Sequence, residues 1–407
     1  MASAKLPKAV VIGLGSVTGL QTARILAAAG VDVVGIAGDR RHFAARTRVC
    51  QRIWEADVHG PGFLEVLEKL GPELDQRAVL FPCTDQAVLV VSAHRLRLEA
   101  WFQVALPDHA VVRTLARKDT FHAHALSIGL QVPQTYPLAD RVDAIRAARR
   151  LPYPVLLKPA TKTPAWKRRA GVKVCVVREP AGLLDAYDRL RDTVDTLVAQ
   201  EYVSGGDDQL YTCNCYIDAE QRPLATFVTR KRRQWPPGVG TASFGEEVRD
   251  DEVLRQTLRL FGSVPYRGFG YLELKYDATR RRHVVIEANI GRPTGRSATA
   301  EAGEVELVRT AYCEAAGLPL PAARRQRYTG AAWVDLRRDL LASVHAWRKG
   351  ELRPAEWLRS MRRRPKAHAV ASMRDPVPFL LEVTQSSRRA AARLARRAIV
   401  TARLRPR

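Results

Sequence analysis

His283-Val-Val-Ile-Glu287-Ala-Asn289-Ile-Gly-Arg292 reads as a core strand that carries chemistry. From Val284 to Ile290 every residue is apolar except Glu287 and Asn289, and the two-residue period of a strand sends both to the same face. A carboxylate on an otherwise buried strand needs a partner, because an unpaired charge in apolar surroundings is costly. Fourteen residues before Glu287, Glu273 lies on a second strand-like run, Gly270 to Tyr276. Two carboxylates on adjacent strands, with an amide two residues after the second, set three hard oxygens where Mg²⁺ can be held together with nucleotide phosphates.

Working outward from that strand, the chain offers cations and a hinge at spaced positions. Leu151-Pro-Tyr-Pro-Val-Leu-Leu-Lys158 is a strand ending in lysine, and Lys118 is expected on the exposed middle of a helix from Asp108 to Leu126. Arg230 and Lys231 close a strand that begins at Leu224. Thr196 to Val203 is a strand whose end, Glu201-Tyr-Val203, runs into a turn with Asp207 and Asp208. Lysines in such places act as point charges on phosphate oxygens. Thr161 to Gly171 is expected to be a polar, basic hairpin loop before a strand ending at Val177, and a helix is expected near Asp251 to Val264.

The beginning of the chain has a different pattern. Ala9-Val-Val-Ile12, then Gly13-Leu-Gly15-Ser-Val-Thr-Gly19, a helix to Ala29 and Val31 to Gly35 form a strand, a Gly-rich turn, a helix and a strand. Gly13 and Gly15 suit a tight turn, and Gly19 suits close packing of a helix on its strand. With Ala78 to Phe81, a helix from Asp85 to Leu98 and a strand from Phe102 to Leu106, residues 1–110 form one small doubly wound domain. The chain of 407 residues has room for two to three domains.

Charge is distributed unevenly. The net charge is +24, and residues from Arg324 onward contribute +16 of it, with 22 Lys or Arg against 6 Asp or Glu. From Ser387 to Arg407 there are eight arginines and no acid, and a helical projection sets Ala391, Leu394, Ala398 and Ile399 opposite the arginines. That basic amphipathic segment is expected to meet an anionic membrane surface. No apolar run approaches the length of a bilayer span. The six scattered cysteines suit reduced thiols, and Cys213 with Cys215 lacks the second pair that a zinc site needs. The expected location is cytoplasmic, peripheral at the inner face of the membrane through the tail.

The ordered set Lys118, Lys158, Glu201 to Val203, Asp208, Lys231, Glu273, Glu287, Asn289 and Arg292 resembles the ATP-grasp superfamily over about residues 5 to 320. Among its branches the chain is most similar to the D-aspartate ligase and carbamoyl-phosphate synthase large-chain group, because Arg292 and Arg296 follow the metal-binding triplet. The resemblance implies an α/β (α+β) fold with a Rossmann-like pre-ATP-grasp domain over 1–110 and an ATP-grasp domain over 111–320. The latter would divide into a small subdomain, 151–203, and a large one, 204–320. A small helical basic extension follows over 321–386, with Trp333, Trp347 and Trp357 as core or cover, then the tail over 387–407. The implied cofactors are ATP and Mg²⁺.

Lys118 and Lys158 would hold phosphates, Glu201 and Val203 the adenine edge, Asp208 the ribose, and Glu273, Glu287 and Asn289 the metal. Lys231 and Arg292 would steady the transferred phosphoryl group. The implied activity is an ADP-forming ligase that joins a small-molecule carboxylate to an amine. The segment Gln234-Trp-Pro-Pro-Gly-Val-Gly240 is expected to help shape the acceptor pocket. The phosphate loop of the superfamily is rich in Gly and Ser, whereas Thr161 to Gly171 is basic, and two residues separate Asn289 from Arg292 where one is common. A homodimer is compatible with this reading and no specific nucleic acid is expected. The alternatives are an NAD(P)-dependent oxidoreductase using Gly13, Gly15 and Gly19, and a nucleic-acid binder driven by charge alone.

Overall fold

The computed structural model describes residues 5–161, 164–171, 174–238 and 240–388. The expectation for the tail therefore lies outside the described residues from residue 389 onward. Three sheets organise the chain. The first is parallel, with strands β1 (Ala9–Ile12), β2 (Val33–Ala37), β3 (Cys50–Glu55), β4 (Ala78–Pro82) and β5 (Phe102–Gln103) in the order β3-β2-β1-β4-β5. Helix α1 (Val17–Ala28) leaves the Gly-rich turn after β1, with the Ser16 side chain accepting from the Gly19 N–H as its N-cap. A Cβ on Gly19 would lie 2.5 Å from the Gly13 carbonyl oxygen, so only glycine lets α1 sit this close to the turn.

The second sheet is small and antiparallel: β6 (Thr135–Leu138), β7 (Val155–Pro159), β8 (Cys175–Val177) and β9 (Leu197–Glu201), in the order β6-β9-β7-β8. The third contains β10 (Leu210–Ile217), β11 (Pro223–Trp235), β12 (Thr241–Glu247), β13 (Gly268–Asp277), β14 (Arg282–Ile290), β15 (Ala332–Val334) and β16 (Lys366–His368). Its order is β14-β13-β10-β11-β12-β15-β16, antiparallel except for the last pair.

The cores show which sheets pack together. One apolar cluster joins Val10, Ile12 and Leu80 of the first sheet to Cys213, Leu272 and Ile290 of the third, so these two sheets share an interior. The small sheet instead packs Leu157, Val177 and Ala199 against its own helices, with Leu183 and Tyr187. It covers the rest of the fold without sharing its core.

Several local expectations change. The helix expected from Asp108 to Leu126 is two helices, His109–Ala116 and Lys118–Ser127, because Arg117 is extended and the Lys118 N–H bonds to the Ala160 carbonyl 3.1 Å away. The helix expected from Asp85 ends at Ala93 and resumes at Arg95. Within the expected hairpin loop, Pro164–Ala170 is helical, since Trp166 is buried against the core of the small sheet with Ala170 packed beside it, one turn further on.

The segment after residue 321 contributes β15 and β16 to the large sheet besides the helices Leu336–Arg348 and Pro354–Met361. It is also tied to the first domain. Asp375 is buried and accepts from Arg24 Nε at 2.9 Å, Thr47 Oγ1 at 2.5 Å and the Arg48 N–H at 3.1 Å.

Candidate active site

Register places most of the expected site on one face of the large sheet. Across β10, Leu210 faces both Lys231 of β11 and Lys275 of β13, and Thr212 faces Glu273. Across β13 and β14, Glu273 faces Glu287 and Tyr271 faces Asn289. Because directly opposed residues share a face, Lys231, Lys275, Glu273, Glu287, Asn289 and Tyr271 all point the same way. Arg230 has the opposite parity, and its guanidinium lies 5.5 Å above the Tyr211 ring on the other face.

This face is the wall of a cavity of about 660 Å³ whose opposite wall is the small sheet. That volume is in the range of small-molecule sites. Lys158, 6% exposed at the end of β7, donates from Nζ to Gln200 Oε1 at 2.7 Å, and Gln200 Nε2 donates to Thr135 Oγ1 at 2.8 Å. Lys118 lies at the start of its helix, with Nζ 3.5 Å from the Ala160 carbonyl. Both lysines line the cavity.

The two sheets meet at Glu201-Tyr202-Val203. The Glu201 carboxylate accepts from the Gln134 N–H at 3.1 Å and pairs with Arg280, so it braces the hinge. Lys275 Nζ donates to the Val203 carbonyl at 2.8 Å and lies 4.8 Å from the Tyr202 ring centroid. Burial lowers the Lys275 pKa, opposed by Asp207 and Asp277. Among the described residues no acceptor takes the Val203 N–H, which leaves a hinge donor on the strand edge that borders the cavity.

At the other end of β14, Gly291 turns with φ +66, where a Cβ would lie 2.5 Å from Leu106 Cδ2. The turn returns Arg292 over the strand. Its guanidinium donates to Tyr271 Oη at 2.6 Å and Asn289 Oδ1 at 2.7 Å, and it pairs with Asp85 at the start of a helix of the first domain. The additional residue before Arg292 thus forms this glycine turn.

Asp208 is the expected residue that the fold does not bring into the lining. Its carboxylate pairs with Arg230 at 3.0 Å and Arg232 at 3.9 Å, and its neighbour Asp207 instead accepts from Gln234 Nε2 at 2.6 Å. Gln234 in turn accepts from Lys231 Nζ at 3.1 Å, and Gln234, Gly238 and Gly240 line the cavity. Sequence reasoning passed over Lys275 as a site residue, although it shares parity with Glu273. It also could not attach Arg337, Arg338 and Glu382 to the cavity, since these come from the C-terminal segment.

The donor set suits Mg²⁺. Glu273 and Glu287 are opposed across neighbouring strands and, with the Asn289 amide oxygen, would offer three hard oxygens to a divalent cation, whose charge would offset that of the carboxylates. Among the described residues no group of three His, Cys, Asp or Glu forms a metal cluster. The six cysteines are free. No described helix is long and apolar enough to cross a membrane.

No protein-family model matches the chain. A curated D-aspartate ligase from Enterococcus faecium (strain Aus0004) is 22% identical over 243 residues, 56% of this chain and 58% of that protein. The match thus spans little more than half of that relative's length. Among solved structures, N5-carboxyaminoimidazole synthetase from Staphylococcus aureus superposes with a TM-score of 0.60 at 15% identity, over 78% of this chain and 79% of the other. The biotin carboxylase domain of Hydrogenobacter thermophilus 2-oxoglutarate carboxylase, in complex with MgADP, gives 0.61 at 15% identity over 79% and 72%. An L-amino acid ligase from Bacillus licheniformis gives 0.57 at 12% identity over 77% and 75%. The chain has the ATP-grasp fold, and its sequence resembles the carboxylate-amine ligases built on that fold.

Proposed function

We propose that this chain is an ATP- and Mg²⁺-dependent, ADP-forming ligase that activates a carboxylate as an acyl phosphate and joins it to an amine. The observation that carries this reading is the shared sheet face of Lys231, Glu273, Lys275, Glu287 and Asn289 opposite Lys158 across one cavity. In this reading the Val203 N–H meets the adenine edge, and Lys118 and Lys158 hold phosphate oxygens. Glu273, Glu287 and Asn289 hold Mg²⁺, which when bound neutralises phosphate charge. Lys231 and Arg292 steady the phosphoryl group and the acyl phosphate electrostatically. A carboxylate oxygen attacks the γ-phosphorus and ADP leaves; the amine nitrogen then attacks the acyl carbon and phosphate leaves. The Asp208–Arg230 pair gives no support to a ribose role for Asp208.

Hydroxylamine tests the reaction without knowledge of the amine, because it captures an acyl phosphate as a hydroxamate. ADP release and hydroxamate formation are expected to require Mg-ATP and an added acid in equal amounts. ADP release that continues without acid and yields no hydroxamate would mark a simple ATPase.

The lysine makes a separate prediction. Lys158→Ala is expected to weaken Mg-ATP binding by about 1.5–3 kcal/mol, the scale of a charge-assisted hydrogen bond. Glu201→Ala is expected to weaken it less, because that carboxylate braces Arg280 and Gln134 while the backbone forms the hinge. Calorimetric titration decides. Equal affinity in the Lys158 variant and the wild type removes Lys158 from the nucleotide site.

A further inference from the structure

Among the described residues fourteen large apolar side chains are exposed, and seven of them stand between Leu336 and Val383. Single exposed leucines need no explanation, whereas their concentration on one segment marks a contact surface. Leu336 and Leu340 lie on successive turns of the helix Leu336–Arg348, and Leu340 is 52% exposed. Leu336 borders the same crevice as Phe379 and Glu382, which belong to the last described helix, residues 377–388. Leu380, 60% exposed, and Val383 are three residues apart and share the outer side of that helix. The Trp347 and Trp357 rings, 5.8 Å apart between centroids, join the helix Pro354–Met361 and its exposed Leu358 to this group.

The charge of the segment is divided between interior and surface. Its acids Asp335, Asp339, Asp375 and Glu382 are buried, and each pairs with an arginine, at 3.3, 2.8, 2.9 and 3.2 Å respectively. The surface is left to cations: between residues 336 and 388 nine Lys or Arg are exposed, against one exposed acid, Glu351. Residues 389–407 add seven arginines and no acid.

An aliphatic face set among cations selects its partner. A second copy of the chain, or residues 389–407 folded back on the face, would bring cations against cations. Nucleic acid would take the arginines, yet its phosphates gain nothing from leucine, and its bases stack on aromatic rings rather than on aliphatic chains. An anionic bilayer suits both features, because acyl chains receive the leucines while headgroups attract the arginines around them.

We propose that the face formed by Leu336, Leu340, Leu380 and Val383 docks on an anionic lipid bilayer, with the surrounding cations against the headgroups. None of the four lines the large cavity, so the inference stands apart from the ligase reading. It assigns the C-terminal segment two sides, an inner one that extends the large sheet and an outer one that meets lipid.

The test is sedimentation of the full chain with vesicles of phosphatidylcholine alone and of phosphatidylcholine mixed with phosphatidylglycerol, at low and at high salt. At low salt, binding to the mixed vesicles is expected to be about tenfold or more tighter than to the neutral ones, and to weaken as salt rises. The double variant Leu340→Gln, Leu380→Gln leaves every cation and residues 389–407 in place. It is expected to bind the mixed vesicles about tenfold more weakly than the wild type. Its thermal melt is expected to stay unchanged, because both side chains are already exposed.

Equal binding of the two kinds of vesicle overturns the proposal. Equal binding by the double variant and the wild type also overturns it, since charge alone would then account for the attraction. Sedimentation velocity without lipid and titration with duplex DNA check the other occupants. A dimer that the double variant abolishes, or DNA binding tighter than vesicle binding and weakened by the same variant, gives the face to that partner and overturns the lipid reading.

Discussion

Glu287→Gln is expected to lower ATP turnover roughly a thousandfold, about 4 kcal/mol in the barrier, and to leave the fold intact. The variant keeps the shape and most of the volume of the side chain on β14 and removes the charge that faces Glu273 across the ladder. In the absence of nucleotide the variant is expected to fold as the wild type does, since glutamine keeps the hydrogen-bonding oxygen and removes one of two like charges that oppose each other across the ladder. In the presence of Mg-ATP the wild type is expected to gain stability by mass action, and the variant to lose most of that gain. Thermal melts with and without Mg-ATP, beside ADP release, separate the two effects. Wild-type ADP release in the variant would remove Glu287 from the metal site. Asn289→Ala is expected to have a smaller effect, because it supplies one neutral oxygen that Arg292 already contacts at 2.7 Å.

The largest effect on stability is expected at Asp339. This carboxylate is 1% exposed and accepts from Arg233 Nε at 2.8 Å, Arg233 Nη2 at 3.0 Å, Ser243 Oγ at 3.1 Å and Trp357 Nε1 at 3.0 Å. It ties the helix Leu336–Arg348 to β11, β12 and the helix Pro354–Met361. Asp339→Ala leaves the largely buried Arg233 guanidinium, 4.5 Å above the Phe244 ring, without its counter-ion, and is expected to cost about 3–5 kcal/mol. The double variant Arg233→Met, Asp339→Leu removes both charges and is expected to recover most of that loss, since a buried pair replaced by apolar groups is often near neutral. Denaturant unfolding reads both. A single variant that unfolds within about 1 kcal/mol of the wild type would show that Asp339 does not hold the C-terminal segment in place.

Strong periodic segments were legible in the sequence. The first βαβ unit, the helix Asp251–Phe261 and the strands around Cys213, Glu273 and Glu287 each carry their own hydrophobic pattern, which is local information. β3 was not anticipated: it is an edge strand with half-exposed residues, so no alternation of buried and solvated positions marks it. β12 was missed for another reason. Thr241-Ala-Ser-Phe-Gly-Glu-Glu247 is mixed in character, and it is a strand because β11 and β15 pair with it on either side. The helix at Pro164–Ala170 likewise exists through burial of Trp166, which no local charge pattern reveals.

For the site, the residue types and the strand parity of Glu273, Glu287 and Asn289 were determined by the sequence alone, because side-chain alternation is a property of any strand. The place of Asp208 was not, since a carboxylate on a turn is set by the partners that reach it, and Arg230 reaches Asp208 outside the cavity lining. Lys118 is set by one long-range hydrogen bond to Ala160 that splits its helix. The end of the cavity lined by Val17, Arg296 and Trp333 was decided by tertiary structure entirely. Val17 stands about three hundred residues before the other two, and it meets them because β15 extends the large sheet and α1 shares an apolar cluster with it, a contact between distant segments that no local period encodes.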